Sequence, residues 1–173
     1  MLLFCIERAI NYKTQIMKTI KIATPIEILS FDELNEIEQN VVNEAREATR
    51  RSYAPYSRFN VGAAIVLDNG EVITGANQEN VAYPSGICAE RAACYYAHAR
   101  YPEAHFVMIA ISARGTDGNE IDHPISPCGA CRQALLEYET IAGHDIAVLL
   151  VGKSEIYRLP SVKSLLPLAF SDF

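Results

Sequence analysis

The chain carries no run of basic residues beyond the pair Arg50-Arg51, and its net charge is −6. Polynucleotide binding rests on neutralising phosphates with lysine and arginine, so the charge argues against a broad nucleic-acid surface. No segment reaches the ~18 apolar residues of a membrane span. Nothing in the chain reads as a linker, a repeat or a low-complexity tract. The cysteines number five, an odd count, which does not suit a disulfide framework and points to a reducing compartment. The opening Met1-Leu2-Leu3-Phe4-Cys5-Ile6 lacks a basic leader, a long apolar run and a small residue for cleavage, all of which a secretion signal needs. A cytoplasmic protein is therefore expected. Met17 before Lys18 offers an alternative start, so residues 1–25 are expected to be an extension and residues 26–173 a single domain.

What is present suffices for a folded core. Half of the 173 residues are hydrophobic, and a chain of this length buries about 70% of its unfolded surface. Ser30-Phe31-Asp32-Glu33 has the form of a capping box. Apolar residues then recur at Leu34, Ile37, Val41, Ala45 and Ala48, the period of a helix, which is expected to run to about Ser52 before Pro55. Val61 to Leu67 and Val72 to Ala76 read as a hairpin around Asp68-Asn69-Gly70. An alanine-rich helix from about Cys88 to Arg100, a strand from Phe106 to Ser112 and a helix from Cys128 to about Tyr138 follow. Ala147 to Val151 and Ile156 to Leu159 read as the last strands, with a short helix near Ser161 to Leu165. Strands alternating with helices predict an α/β fold, a three-layer helix–sheet–helix sandwich on a mixed five-stranded sheet.

Two short stretches carry chemistry. Cys88-Ala89-Glu90 opens one helix, and Pro127-Cys128-Gly129-Ala130-Cys131 opens the next. Three thiols are the ligand count of a catalytic zinc with one open position, whereas a structural site takes four. Spaced candidates for a fourth are lacking: Cys5, Cys94, His98, His105, His123 and His144 form no second pair with Cys88. A redox dithiol, the other reading of Cys-x-x-Cys, needs neither Cys88-Ala89-Glu90 nor Pro127. Helix starts favour thiolates, because unpaired amides and the dipole supply positive charge there. Three thiolates on a divalent ion still leave a formal −1, and Arg91 and Arg132, each next to a motif residue, are expected to offset it. Surface ion pairs are the plainer alternative for both. Glu90 is expected to serve as base and acid in turn beside the open position, which requires a raised pKa.

These motifs match a zinc deaminase signature, and the likeness extends further. Tyr53-Ala54-Pro55-Tyr56-Ser57, Phe59-Asn60-Val61-Gly62-Ala63-Ala64, Gly75-Ala76-Asn77, Glu79-Asn80, Ala82-Tyr83-Pro84 and Leu165-Leu166-Pro167 with Phe170 follow in order. From about residue 31 to residue 170 the chain resembles the small, homotetrameric cytidine deaminase family. The resemblance implies hydrolysis of cytidine and deoxycytidine to uridine, deoxyuridine and ammonia in pyrimidine salvage, with one zinc ion per chain. It implies that Asn77 and Glu79 hold the ribose hydroxyls, that Phe59 packs on the nucleoside ring and that the Ala89 backbone meets the base. Phe170 is implied to reach the substrate of a neighbouring subunit. Blander readings stand beside these: a turn residue for Asn77, a solvated loop charge for Glu79, a core residue for Phe59. Alternatives for the whole chain are a blasticidin-type deaminase, a nucleic-acid editing deaminase and a non-catalytic zinc-braced binding protein. The intact Glu90 counts against the last. The loop Arg114 to Asp122 is longer than in the shortest members, His123 after it reads as a surface residue, Cys94 as a small buried residue, and Cys5 is unassigned.

Overall fold

The computed structural model describes residues 18–171; Met1, Cys5, the alternative start at Met17 and most of the expected extension lie outside them. Six strands form one sheet: β1 (Glu27–Leu29), β2 (Asn60–Leu67), β3 (Val72–Ala76), β4 (Phe106–Arg114), β5 (Ala147–Val151) and β6 (Ile156–Leu159). Their order is β1-β6-β5-β4-β2-β3. Three α-helices, α1 (Glu36–Ala48), α2 (Ala89–Arg100) and α3 (Gly129–Ala142), complete the fold. None of these helices is long and apolar enough to cross a membrane.

The alternation along β2 explains the three layers. Ala63, Ile65 and Leu67 face Ala93 and Ala97 of α2 and Leu135 of α3. Ala64 faces Val41, Val42 and Ala45 of α1 on the other side. Strands β4 and β5 repeat the pattern, with Ile109, Ile111, Val148 and Leu150 on the first face and Ala110 and Leu149 on the second. Both faces are thus buried, as a sheet covered on two sides requires.

Pairing is mixed. Strand β2 is antiparallel to both β3 and β4, and β4 is parallel to β5. Strands β3 and β4 therefore point the same way, each followed by a helix on the same face. That geometry brings the starts of α2 and α3 together beyond the carboxyl ends of the strands, where open α/β sheets bind ligands.

The sheet corrects the expected count of five. Strand β1 pairs antiparallel with β6, Glu27 opposite Arg158 and Leu29 opposite Ile156. Three residues are too few to show a period, and Arg158, which bonds Glu27 and the buried Glu38, fastens the strand. The first helix also begins later than expected. Glu33 accepts from Ser30, but this box closes only a 3₁₀ turn, Phe31–Glu33. A second, reciprocal box between Asn35 and Glu38 starts α1. The turn Thr49–Arg51 and the expected short helix, reduced to Lys163–Leu165, are likewise 3₁₀.

Two glycines allow the helices to lie close to the sheet. A Cβ on Gly62 would sit 2.3 Å from the Ala45 carbonyl oxygen of α1. One on Gly75 would sit 2.5 Å from the Ala89 carbonyl oxygen and from the Ala93 nitrogen at the start of α2. These are backbone atoms, so the helix itself must shift to admit a methyl group. Overpacking of this kind costs about 1–3 kcal/mol. Gly75→Ala is expected to lower the melting temperature by several degrees and to weaken metal retention, because α2 carries Cys88; thermal melts with metal analysis check both.

Candidate active site

Cys88 and Cys128 are the N-caps of α2 and α3, both in extended backbone conformation, and Cys131 lies buried in the first turn of α3. The Cys88 and Cys128 sulfurs are 3.9 Å apart and those of Cys128 and Cys131 3.4 Å apart. All three lie within 4.8 Å of one another. Tetrahedral zinc with bonds of about 2.3 Å would hold its sulfurs about 3.8 Å apart, so the thiol set fits the ion. Among the described residues no histidine or carboxylate joins this cluster. Cys94 turns into the core, with its thiol near the Arg91 carbonyl, and burial pushes its pKa up to about 12. His98 packs on Tyr138, His105 meets His144, and His123 is exposed beside Glu155.

Electrostatics favour a thiolate at Cys88. A hydrogen bond from Cys131 is the largest influence holding its pKa down at about 5, with Arg91 and Cys128 adding to it. Cys131 moves the opposite way: its hydrogen bond to Cys88, burial and the nearby Glu90 charge raise its pKa. The Arg91 Nη2 atom lies 3.9 Å from the Cys88 sulfur, and its buried Nε has no hydrogen-bond partner among the described residues. Arg132 is placed differently. It donates to the Pro127 carbonyl, the Ser126 hydroxyl and the Leu165 carbonyl, so it ties the loop ahead of Cys128 to the end of the chain.

Glu90, in the first turn of α2, is 4% exposed. Desolvation is the main force raising its pKa, with the charge of Cys88 acting in the same direction. Ala89 is the first residue of α2 and is fully buried, at a helix start where amides lack intrahelical partners.

A cavity of about 560 Å³ opens in front of Cys88 and Arg91, walled by Tyr56, Asn77, Glu79 and Tyr83. Asn77 accepts from the Val61 amide and the Ser52 hydroxyl and donates to the Phe59 carbonyl. Glu79 accepts from the amides of Tyr56 and Ser57 and from the Ser57 hydroxyl; the hydroxyl is the chief reason its pKa is lowered. Phe59 does not line this cavity. It borders a second one of about 480 Å³ with Ile121, His123 and Ile125. Phe170 does not line it either: its ring is 70% exposed and its carbonyl accepts from Gln133.

The structure thus brings Cys88, Cys128, Cys131, Glu90, Arg91, Asn77 and Glu79 to one place, and leaves Phe59, Phe170 and Arg132 beside it. Ser57 and Tyr83 carry no role in the sequence reading, although both stand in its matching stretches. Hydroxyl residues in turns give no signal of a distant partner. The buried Glu139 was not foreseen either. It accepts from the amides of Ile146, Val162 and Lys163 and so joins α3 to the chain's last turn.

Three thiols at two helix starts, in a helix–sheet–helix sandwich, define a zinc-binding α/β protein. The family model of the cytidine and deoxycytidylate deaminase zinc-binding region matches residues 35–143. Cytidine deaminase of Halalkalibacterium halodurans is 38% identical over 133 residues, covering 77% of this chain and 93% of that protein. The cytidine deaminase of Sporosarcina psychrophila is 36% identical over the same length, 77% of this chain and 90% of its own. A crystal structure of cytidine deaminase from Burkholderia pseudomallei superposes with a TM-score of 0.64 at 36% identity, covering 79% of this chain and 100% of that one. The chain belongs to the cytidine and deoxycytidylate deaminase family.

The donor set yields a direct expectation. Elemental analysis should find one zinc ion per chain, and Cys128→Ala should lose most of it, since two thiols do not make a tetrahedral zinc site. Full zinc retention in that variant would require another protein ligand.

Proposed function

We propose that this chain is a zinc-dependent hydrolase that converts cytidine and deoxycytidine to uridine and deoxyuridine with release of ammonia, in cytoplasmic pyrimidine salvage. The observation that carries the reading is the buried carboxyl of Glu90 beside three thiols that fit one zinc ion. Relatives named cytidine deaminase at 36–38% identity support it.

One ion per chain, held by Cys88, Cys128 and Cys131, supplies Lewis acidity that eases the loss of a proton from water, toward a pKa of about 7. Glu90 takes that proton and passes it to the ring nitrogen of cytosine. The hydroxyl adds to the amine-bearing carbon, and Glu90 then takes the proton of that hydroxyl and delivers it to the departing amine as the carbonyl forms. Water and nucleoside become ketone and ammonia, with no net proton change at the carboxyl. A carboxyl whose pKa is raised by burial suits both directions of transfer. Arg91 balances the excess negative charge of the thiolates from beside Cys88, and Arg132 contributes by fixing the loop before Cys128.

Asn77 and Glu79 hold the ribose at the far end of the cavity, and the Ala89 backbone meets the base. Beyond these intramolecular bonds Glu79 retains acceptor capacity and Asn77 a donor hydrogen, enough for a sugar hydroxyl. A carboxylate here, on a chain of net charge −6, repels a phosphorylated substrate. Free nucleosides are the preferred form.

The catalytic domain spans residues 26–173, with residues 1–25 as an extension. The active form is a homotetramer, in which Phe59 and the neighbouring subunit's copy of Phe170 enclose the nucleoside. The exposed Leu168 and Phe170 at the end of the chain support the reading, since apolar ends tend to fray unless docked.

Two measurements test it. Purified protein should abolish the absorbance band of cytidine, and Glu90→Gln should keep zinc and fold but lose about 10²–10⁴-fold in kcat; retention of a tenth of the turnover would disprove the shuttle. Light scattering should give about four times the 19.1 kDa chain mass. Deleting residues from Leu168 onward should raise KM by about tenfold, since stacking on a base is worth about 1–3 kcal/mol; unchanged kinetics would place the whole site within one chain.

A further inference from the structure

The segment from residue 52 to residue 61 and the segment from residue 77 to residue 79 are stitched together by bonds to two side chains. Asn77 is bonded to Ser52, Phe59 and Val61. Glu79 is bonded to Tyr56 and Ser57. Backbone bonds from Tyr53 to the Asn77 carbonyl and from Glu79 to the Tyr53 carbonyl complete the seam. Among these groups Ser57 is singular. Its hydroxyl donates to Glu79 Oε1 at 2.5 Å while accepting from the Phe59 amide at 3.1 Å, so one oxygen joins the carboxylate to the turn that carries Phe59. The turn is costly to hold: Arg58, between them, has φ of +56°, a left-handed conformation that non-glycine residues rarely adopt.

We propose that Ser57 is a positioning residue for sugar recognition, which locks the Glu79 carboxylate in the orientation that meets the ribose. The proposal rests on the assignment of Glu79 to the ribose made above. Three donors already occupy Glu79: Tyr56 and Ser57 amides on Oε2, the Ser57 hydroxyl on Oε1. A carboxylate offers about four acceptor directions, so these donors leave one direction for substrate and define where it points. The two amides alone hold only Oε2. Without the hydroxyl, Oε1 has two open directions and the carboxyl can rotate about its terminal torsion, which is broad. Ser57 acts on binding and not on proton transfer, because Glu90 belongs to another element, α2.

The experiment compares cytidine with 2′,3′-dideoxycytidine, which keeps the base and lacks both hydroxyls. In Ser57→Ala, KM for cytidine should rise by about tenfold, the usual consequence of losing one charge-assisted hydrogen bond. The kcat should stay within about twofold, as for loss of uniform binding. KM for the dideoxy substrate should not move, and Ser57→Thr, which restores a hydroxyl at an exposed position, should recover the cytidine value. An equal rise for both substrates, or a fall in kcat with a lower melting temperature, would reduce Ser57 to a turn stabiliser and overturn the proposal. Glu79→Gln separates the two layers of the argument. If it leaves KM for cytidine unchanged, the ribose assignment itself fails and the proposal with it. If it raises KM for cytidine while Ser57→Ala does not, only the positioning role fails.

Discussion

Three sulfur atoms placed to fit a zinc ion have to converge from two helices whose N-caps are forty residues apart in sequence, and the architecture follows from that demand. Strand β2 separates β3 from β4 and runs against both, so β3 and β4 are parallel and each sends its following helix across the same face. The two helix starts then fall side by side. The remaining freedom is the height of α2 above the sheet. Gly75 removes it: with no side chain there, the first turn of α2 rests on β3 backbone to backbone. The position of Cys88 is thus set by packing at Ala89 and Ala93, in the helix turn that follows it. In such a close-packed interior even a methyl group is felt.

Convergence of thiols creates an electrostatic problem, which the same elements solve. Each helix start offers about half a positive charge and free amides, and Cys88 and Cys128 occupy both N-caps. Arg91 adds a full charge next to Cys88. Arg132 spends its hydrogen bonds on two carbonyls and a hydroxyl, holding the Ser126-Pro127 approach in place, so that its contribution is geometric. Glu90 has the contrary requirement. In the proposed reaction its carboxyl has to hold a proton, and burial beside Cys88 pushes it that way. A thiolate-stabilising arginine and a carboxyl with a raised pKa can stand next to each other because successive helix residues point about 100° from each other; one faces the cavity edge while the other is buried.

Much of this was legible in the sequence because periodicity and motif spacing report local backbone. The hairpin, the two crossover helices and the five longer strands were all readable from apolar pattern and turn residues, and the ligand trio from Cys88-Ala89-Glu90 and Cys128-Gly129-Ala130-Cys131. What escaped depends on contacts between distant residues. Strand β1 is three residues long and is secured by Arg158, more than a hundred residues away. The box at Ser30 is a real local signal that closes a single 3₁₀ turn, because Asn35 and Glu38 offer a better start two residues past it. Arg132 reads as a charge near a metal motif, and only the fold reveals that carbonyls surround it. Glu139, buried and bonded to three amides from two other segments, looks in sequence like one more acidic residue on a helix.

The two ends of the cavity are built by different means, and the difference has consequences. At the metal end each functional side chain sits at a helix start, held by backbone packing and by hydrogen bonds within the helix. At the far end Asn77 and Glu79 sit in a loop, and their own side-chain bonds supply much of the order. On the proposed ribose assignment these residues serve both order and binding, since the bonds that order the loop also fix what acceptor and donor capacity remains. Disturbance of the helix starts changes the distance between groups that exchange protons, to which rate is steeply sensitive. Disturbance of the loop changes complementarity to a part of the substrate that does not react, which acts on binding in the ground and transition states alike. Mutations at the two ends should therefore separate into effects on kcat and effects on KM, a division that follows from which part of the backbone carries each residue.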